Sequence, residues 1–187
     1  IRPSRGRAVV AEVLGGHRPD VWVSDLYGAQ RGHADLWQVC LAHQLRDLRY
    51  AIEAGDTVFA PRLKALLLRA VVLARRRHAL KAGTRREYRL RLERELDRVL
   101  ALQPSHRRGQ RLRRRYLAVR DSLFTFLEHP EAPPDNNGSE RDLRPMVVYR
   151  KVTGGFRSAW GPDLCAAVAS VVGTAARRGI DAYHAIH

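Results

Sequence analysis

The chain has 187 residues, 45% of them hydrophobic, with 34 Lys and Arg against 19 Asp and Glu and a formal charge of +15. At ~150 residues per domain this length fits one domain, or one with an insertion, with enough apolar residues for a core. No apolar run reaches the ~18–20 residues of a membrane span, no secretory leader is visible, and two distant cysteines, Cys40 and Cys165, make no disulfide scaffold and fit a reducing compartment.

Residues 5–14, "RGRAVVAEVL", set Val9, Val10, Val13 and Leu14 at helical spacing, and Gly15-Gly16 stops that helix. "DVWVSD" is rich in β-branched and aromatic residues and predicts a short buried strand ending at Asp25. "YGAQRGHA" is loop or a short helix. "LWQVCLAHQLRDLRYAIEAG" begins as a strand and becomes a helix that ends at Gly55.

From about residue 59 to 129 the pattern is helical throughout. "FAPRLKALLLRAVVLARRRHALKAG" is a helix with Pro61 near its start and Gly83 at its end. "TRREYRLRLERELDRVLAL" follows, with capping-box spacing from Thr84 to Glu87 and an apolar face of Leu90, Leu92, Leu96, Val99 and Leu100. After Pro104, "RRGQRLRRRYLAVRDSLFTFLEH" makes a third helix. A Pro-rich break at 130–134 closes the block, and "DNNGSERDLRPMVVYRKV" opens a new helix, expected to bend at Pro145. "TGGFRSAWGP" is a loop, and "DLCAAVASVVGTAARRG" is a small-residue helix suited to packing on a sheet. One or two strands do not make a self-sufficient sheet, so either further strands lie before Ile1 or these segments are not strands. The chain begins with Ile1 rather than Met and reads as a piece of a longer protein.

The basic excess is clustered at Arg75–Arg77, Arg85–Arg86, Arg107–Arg108 and along the run from Arg111 to Arg115. Clustered arginine suits a polyanion, because the planar guanidinium fork matches phosphate oxygens. A solvated basic surface, or the codon bias of a GC-rich genome, would give the same composition.

Three constellations carry candidate chemistry. Asp25 ends a predicted strand, and carboxylates there face the edge of an α/β sheet where ligands bind; the commoner role of such an Asp is to form the turn. Glu140 follows Asn136 and Asn137, either of which caps the helix, so it lies in the first turn, where the helix dipole stabilises a carboxylate. Equally, Glu140 is a capping residue with an i,i+4 partner in Arg144. Two such carboxylates suit two-metal phosphoryl transfer, in which ions ~3.5–4 Å apart serve the attacking and leaving oxygens. Hard oxygen ligands favour Mg2+ or Mn2+. The third constellation is "CLAHQLRD", with Cys40, His43 and Arg46. Its Cys-x-x-His spacing is half a zinc site, and a packed cysteine beside a hydrogen-bonded histidine is the more frequent outcome.

These residues, in this order, resemble the transposases of the IS66 family of bacterial insertion sequences. "PSRGRAVVAEVLGG…VWVSDLYGAQ" is similar to the family's approach to its second catalytic Asp, and "CLAHQLRDL" to its Cys-x-x-His-x-x-Arg-Asp segment. "PPDNNGSERDLRPMVVYRKVTGGFRS" is similar to its Asn-Asn-x-x-Glu-Arg-x-x-Arg-Pro…Arg-Lys signature, and "VVGTAARRGIDAYHAI" to its closing helix. The resemblance implies an α/β fold, mostly helical overall: a partial RNase H-like core with a large all-helical insertion. The implied division is a core segment at 1–55 with the second Asp, the insertion at 56–133, and a core segment at 134–187 with the catalytic Glu. It further implies a DDE transposase with Asp25 and Glu140 as catalytic metal ligands and Mg2+ or Mn2+ as cofactor. Arg141, Arg144, Arg150 and Lys151 are then DNA contacts, with Cys40, His43 and Arg46 in support. The implied partners are transposon ends, target DNA and further copies of the chain, and the implied location is the bacterial cytoplasm, at the nucleoid. The family's first catalytic Asp is expected before Ile1, so this chain alone is expected to be inactive. Two other readings share the same features: a non-catalytic basic helical DNA-binding module, and an RNase H-like nuclease outside transposition.

Overall fold

The structure, a computed structural model, describes residues 4–186. It divides into two units, one of residues 6–136 and one beginning at Asn137, with which Ser4 and Arg5 group. In the first unit, helix α1 (Arg7–Leu14) ends where Gly15 turns left-handed at φ 56°. No residue of α1 is fully buried: Val9, Val10 and Leu14 are part-buried, and Val13 is 81% exposed.

Strands β1 (Val21–Ser24) and β2 (Leu36–Val39) pair in parallel, with Val21 opposite Leu36 and Ser24 opposite Val39. The link between them holds only a 3-10 turn, Gly28–Gln30. There His33 Nε2 bonds the Ala29 carbonyl at 2.8 Å, and the Arg31 guanidinium lies 5.0 Å from the Trp37 ring. β1 is only part-buried apart from Ser24, so the buried strand of the pair is β2, through Gln38 and Val39.

Helices α2 (Leu41–Glu53), α3 (Phe59–Arg76), α4 (Ala82–Leu100) and α5 (Arg107–Ala118) supply the rest of this unit. Each turns an apolar stripe inward at helical spacing: Leu41, Leu48 and Ala51 on α2, Phe59, Leu63, Leu66, Leu67 and Ala70 on α3, Leu92, Leu96 and Val99 on α4, Leu112 and Tyr116 on α5. These residues and Val39 form one core, so strands and helical block share a single apolar interior. The chain is thus mostly helical with a small two-stranded parallel sheet, an arrangement consistent with an α/β protein.

Several boundaries differ from expectation. α3 stops at Arg76, and Gly83 lies inside α4 rather than ending a helix. Thr84 does not cap α4; Lys81 holds that position with no side-chain cap bond. Arginines tie this turn down instead. Arg77 Nε donates to the Pro130 carbonyl at 2.5 Å, and Arg85 donates to the carbonyls of Leu127 at 3.1 Å and Leu80 at 2.6 Å. Leu90, assigned to the apolar face, is 48% exposed.

The third predicted helix also ends early, at Ala118, and gives way to 3-10 turns at Arg120–Ser122 and Thr125–Leu127. The cause is β2. Buried Gln38 donates to the Leu123 carbonyl at 3.1 Å and accepts the Phe126 amide at 3.0 Å, while Thr125 Oγ1 donates to the Trp37 carbonyl at 2.8 Å. The two Gln38 bonds take backbone groups that an α-helix would need for itself, and with the Thr125 bond they hold the segment whose Leu123, Phe124 and Phe126 enter the core.

A buried carboxylate fixes the other end of the block. Asp56 is fully buried and accepts the amides of Val58, Phe59 and Ala60 at the start of α3. It also accepts both the amide and the hydroxyl of Ser105, each at 3.1 Å. One side chain therefore joins the entrance of α3 to the approach of α5. Gly109 makes room for it, since a Cβ there would stand 1.9 Å from Asp56 Oδ2.

The second unit holds α6 (Asn137–Thr153), α7 (Gly161–Arg177) and α8 (Ala182–Ile186). α6 runs as one helix past Pro145. Thr153 Oγ1 bonds the carbonyls of Tyr149 at 2.8 Å and Gly155 at 3.1 Å, and Gly154 and Gly155 turn the chain at positive φ. Met146 and Cys165 meet through sulfur at 3.4 Å, and Asp142 pairs with Arg177. Among the described residues of this unit there is no strand for α7 to pack upon, and of its helical residues only Ala175 is buried.

Candidate catalytic carboxylates and their surroundings

The parallel register carries Asp25 and Cys40 out of the sheet at one carboxyl edge, because Ser24 lies opposite Val39. The Cys40 amide donates to the Ser24 carbonyl at 2.8 Å. Ser24 Oγ accepts the Trp37 indole N–H at 2.9 Å and donates to the Asp25 carbonyl at 3.0 Å, which holds the strand end in place. Asp25 is half-buried, and its Oδ1 accepts the Tyr27 amide at 3.0 Å. The turn-forming role is therefore real for one carboxylate oxygen.

Cys40 and His43 meet at this edge, with His43 Nδ1 3.2 Å from Cys40 Sγ. Cys40 is fully buried, and burial pushes its thiol up, against the amides of Asn136, His43 and Ala42; the Asp135 carboxylate adds to the rise. A neutral, inaccessible thiol is a packing group, not a nucleophile. The Pro-rich break comes to the same edge, where the Leu41 amide donates to the Pro134 carbonyl at 2.9 Å. Arg46 is on the exposed face of α2.

Glu140 lies in the first turn of α6 and is exposed. With Arg141 and Arg144 it lines an open hollow of about 650 Å³, together with Asn137, Leu143 and Val147. Asn136 holds the position before the helix, yet its Oδ1 is buried without a hydrogen-bond partner, so that oxygen does not cap α6. Arg150 and Lys151 are exposed in the last turn of α6.

Asp25 belongs to the first unit and Glu140 to the second. Their oxygen donors suit a hard divalent ion in type. In number they do not make a site: among the described residues no three His, Cys, Asp or Glu side chains are grouped to hold a metal. No helix is long and apolar enough to cross a membrane among those residues.

Sequence reading passed over two buried polar residues that organise this unit, Asp56 and Gln38. Asp56 had a signal, since Asp ahead of an apolar run with Pro61 close behind is a helix start. Gln38 had none, because its partners lie 85 and 88 residues away.

Comparison with known proteins adds a family. Residues 1–163 match the model of the Transposase IS66 family. A relative, "Uncharacterized protein y4jO" of Sinorhizobium fredii (strain NBRC 101917 / NGR234), is 30% identical over 87 residues, 46% of this chain and 27% of that protein. The chain thus spans little more than a quarter of that relative's length. No solved structure matches. With its family model covering most of its length, the chain belongs to the IS66 family of transposases.

Proposed function

We propose that the chain is a catalytic-domain segment of a DDE transposase, in which residues 1–55 and 134–187 contribute to an RNase H-like core and 56–133 form an insertion. Asp25 and Glu140 are two of its active-site carboxylates. One observation carries this reading. Asp25 leaves a parallel strand pair at its carboxyl edge, where ligands of α/β sheets bind, and the break at Pro134 returns to that edge shortly before the helix bearing Glu140.

Arg141, Arg144, Arg150 and Lys151 hold DNA phosphates, with transposon ends and target DNA as the partners. Cys40, His43 and Arg46 support the strand edge and the helix that follows it. Mg2+ or Mn2+ would supply Lewis-acid polarisation of phosphoryl oxygens. Two carboxylates are too few for the family's ion pair, so the chain alone does not cleave DNA. Assembly into multimers on paired ends, in the bacterial cytoplasm at the nucleoid, belongs to the same reading.

The test uses a full-length family transposase carrying this segment. Glu140→Gln and Asp25→Asn should each lower end cleavage by at least about a hundredfold, as loss of charge at a reacting centre does, and leave end binding within about twofold. Binding that collapses with cleavage would make Glu140 a capping residue only. Mg2+-dependent nicking by the 187-residue chain alone would refute its inactivity.

A further inference from the structure

We propose that the exposed face of α5 is a contact for the phosphate backbone of duplex DNA, separate from the arginines of α6. The inference rests on the reading above that the chain works on DNA.

The argument begins with how the structure treats its arginines. On and around α4 several are matched by acids, Arg91 with Glu87, Arg89 with Glu93, Arg69 with Glu95, and Arg120 with Asp97, while Arg86, Arg94 and Arg98 meet no carboxylate among the described residues. α5, "RRGQRLRRRYLA", contains no acid at all. Arg113 is used internally, donating to the Leu100 carbonyl at 2.5 Å. Arg107, Arg108, Arg111, Arg114 and Arg115 are all exposed. At about 3.6 residues per turn, these five fall within about one third of the helix circumference. The opposite side carries Gly109, Leu112 and Tyr116 into the core.

Asp47 on α2 bonds Arg115 at 2.6 Å and neutralises it. Among the described residues, the side chains of Arg107, Arg108, Arg111 and Arg114 meet no carboxylate and no hydrogen-bond acceptor. Like charges at i,i+3 and i,i+4 spacing oppose the helix that carries them. A polyanion laid along the arc removes that repulsion. The geometry suits DNA: from Arg107 to Arg114 the helix rises about 10 Å, at 1.5 Å per residue. Measured along the DNA helix axis, three steps of one strand, at 3.4 Å each, cover about the same length. Arginine forks hold phosphate oxygens without reading sequence.

The experiment measures duplex DNA binding by the 187-residue chain across a salt series, using fluorescence anisotropy and a random-sequence duplex. The variant is Arg108→Gln/Arg111→Gln/Arg114→Gln. A second variant of equal charge loss, Arg18→Gln/Arg69→Gln/Arg91→Gln, removes arginines already paired with Asp35, Glu95 and Glu87. With about 0.9 of slope per phosphate contact, the α5 variant should flatten log K against log salt by about 2.7 and bind on the order of a hundredfold more weakly at 0.1 M salt. The paired-arginine variant should lose less than about one unit of slope. Arg→Lys at the three α5 positions should retain most of the slope, and all variants should keep the parent's helical circular dichroism. Equal losses in the two Gln variants would overturn the site, because the effect would then be net charge. An unchanged α5 variant beside a wild-type chain that binds would sink the α5 contact and leave the DNA reading standing. A wild-type chain with no salt-dependent DNA binding would sink both.

Discussion

Gly109→Ala should be the most damaging single-methyl change in the helical block. Elsewhere in a helix, alanine is favoured over glycine by about 0.8–1.0 kcal/mol. At Gly109 the added Cβ would lie 1.9 Å from Asp56 Oδ2, 2.6 Å from Asp56 Cγ and 2.8 Å from Pro104 Cβ. Asp56 is fully buried, so it has nowhere to go without breaking bonds to Ala60, Ser105 or both. Hydrogen bonds to a charged group contribute about 1.5–3 kcal/mol each. Loss of two, offset by the propensity gain, gives a net destabilisation of about 2–5 kcal/mol. For a chain of this length each kcal/mol moves Tm by roughly 2–4 °C, so the fall should be on the order of 10 °C. Urea and thermal unfolding followed by circular dichroism would read it. Gly83→Ala is the comparison, because nothing lies within 4 Å of its Cβ position inside α4; it should be neutral or slightly stabilising. If Gly109→Ala melts at or above the parent, Asp56 is not a rigid junction. In that case the double variant with Asp56→Ala would also show simple additivity, where a shared junction predicts strong coupling.

Tyr116 is fully buried with its hydroxyl unbonded, so Tyr116→Phe should raise stability by about 1 kcal/mol, read from the urea midpoint; a loss would reveal a partner for the hydroxyl. The Arg120 guanidinium holds the Asp97 carboxyl below its usual range. Its stabilisation is therefore present above the ordinary Asp value of about 3.9 and is lost as pH falls through the lower folded value. With Asp97 49% exposed the effect is under ~1 kcal/mol, and Asp97→Asn should flatten the acid limb of a stability-pH curve by that amount. Cys40 is buried with its thiol pushed up, whereas Cys165 is part-exposed, so native labelling at pH 8 should modify one thiol quickly and Cys165→Ser should abolish that fast phase. Leu96→Ala should cost about 2–5 kcal/mol and Leu90→Ala less than ~1, since only Leu96 is buried.

What the sequence disclosed depended on how local its causes were. The strand before Asp25, the helix from Leu41 and the left-handed Gly15 follow from neighbouring residues, and the structure has them. The sequence places the end of α3 at Gly83, an obvious breaker, whereas Arg77 and Arg85 fix the turn earlier by reaching carbonyls 53 and 42 residues away. The run after Ala118 looks helical by spacing, yet Gln38 claims its backbone at Leu123 and Phe126, and the Thr125 hydroxyl ties it to the Trp37 carbonyl of β2. The candidate site divides the same way. Asp25 and Glu140 stood out because each follows a recognisable break in the chain. The Asp25 turn bond to Tyr27, and the meeting of Cys40 with the Pro134–Asn136 segment, depend on a register and a return path that no short motif encodes.

The side-chain stitching along β2 gives this small sheet a direction of growth. One edge of β2 is paired to β1, the Trp37 carbonyl on the other is taken by Thr125, and the Gln38 side chain binds Leu123 and Phe126. Within the residue 6–136 unit, the carbonyls of Trp37 and Val39 are thus occupied by the side chains of Thr125 and Gln38. β2 is stitched in this way to the helical block, and β1 has no such side-chain bonds to it. The same asymmetry names the weak point of the unit expressed by itself: the outer backbone of β1, residues 21–24, is where strand-to-strand association between molecules would begin.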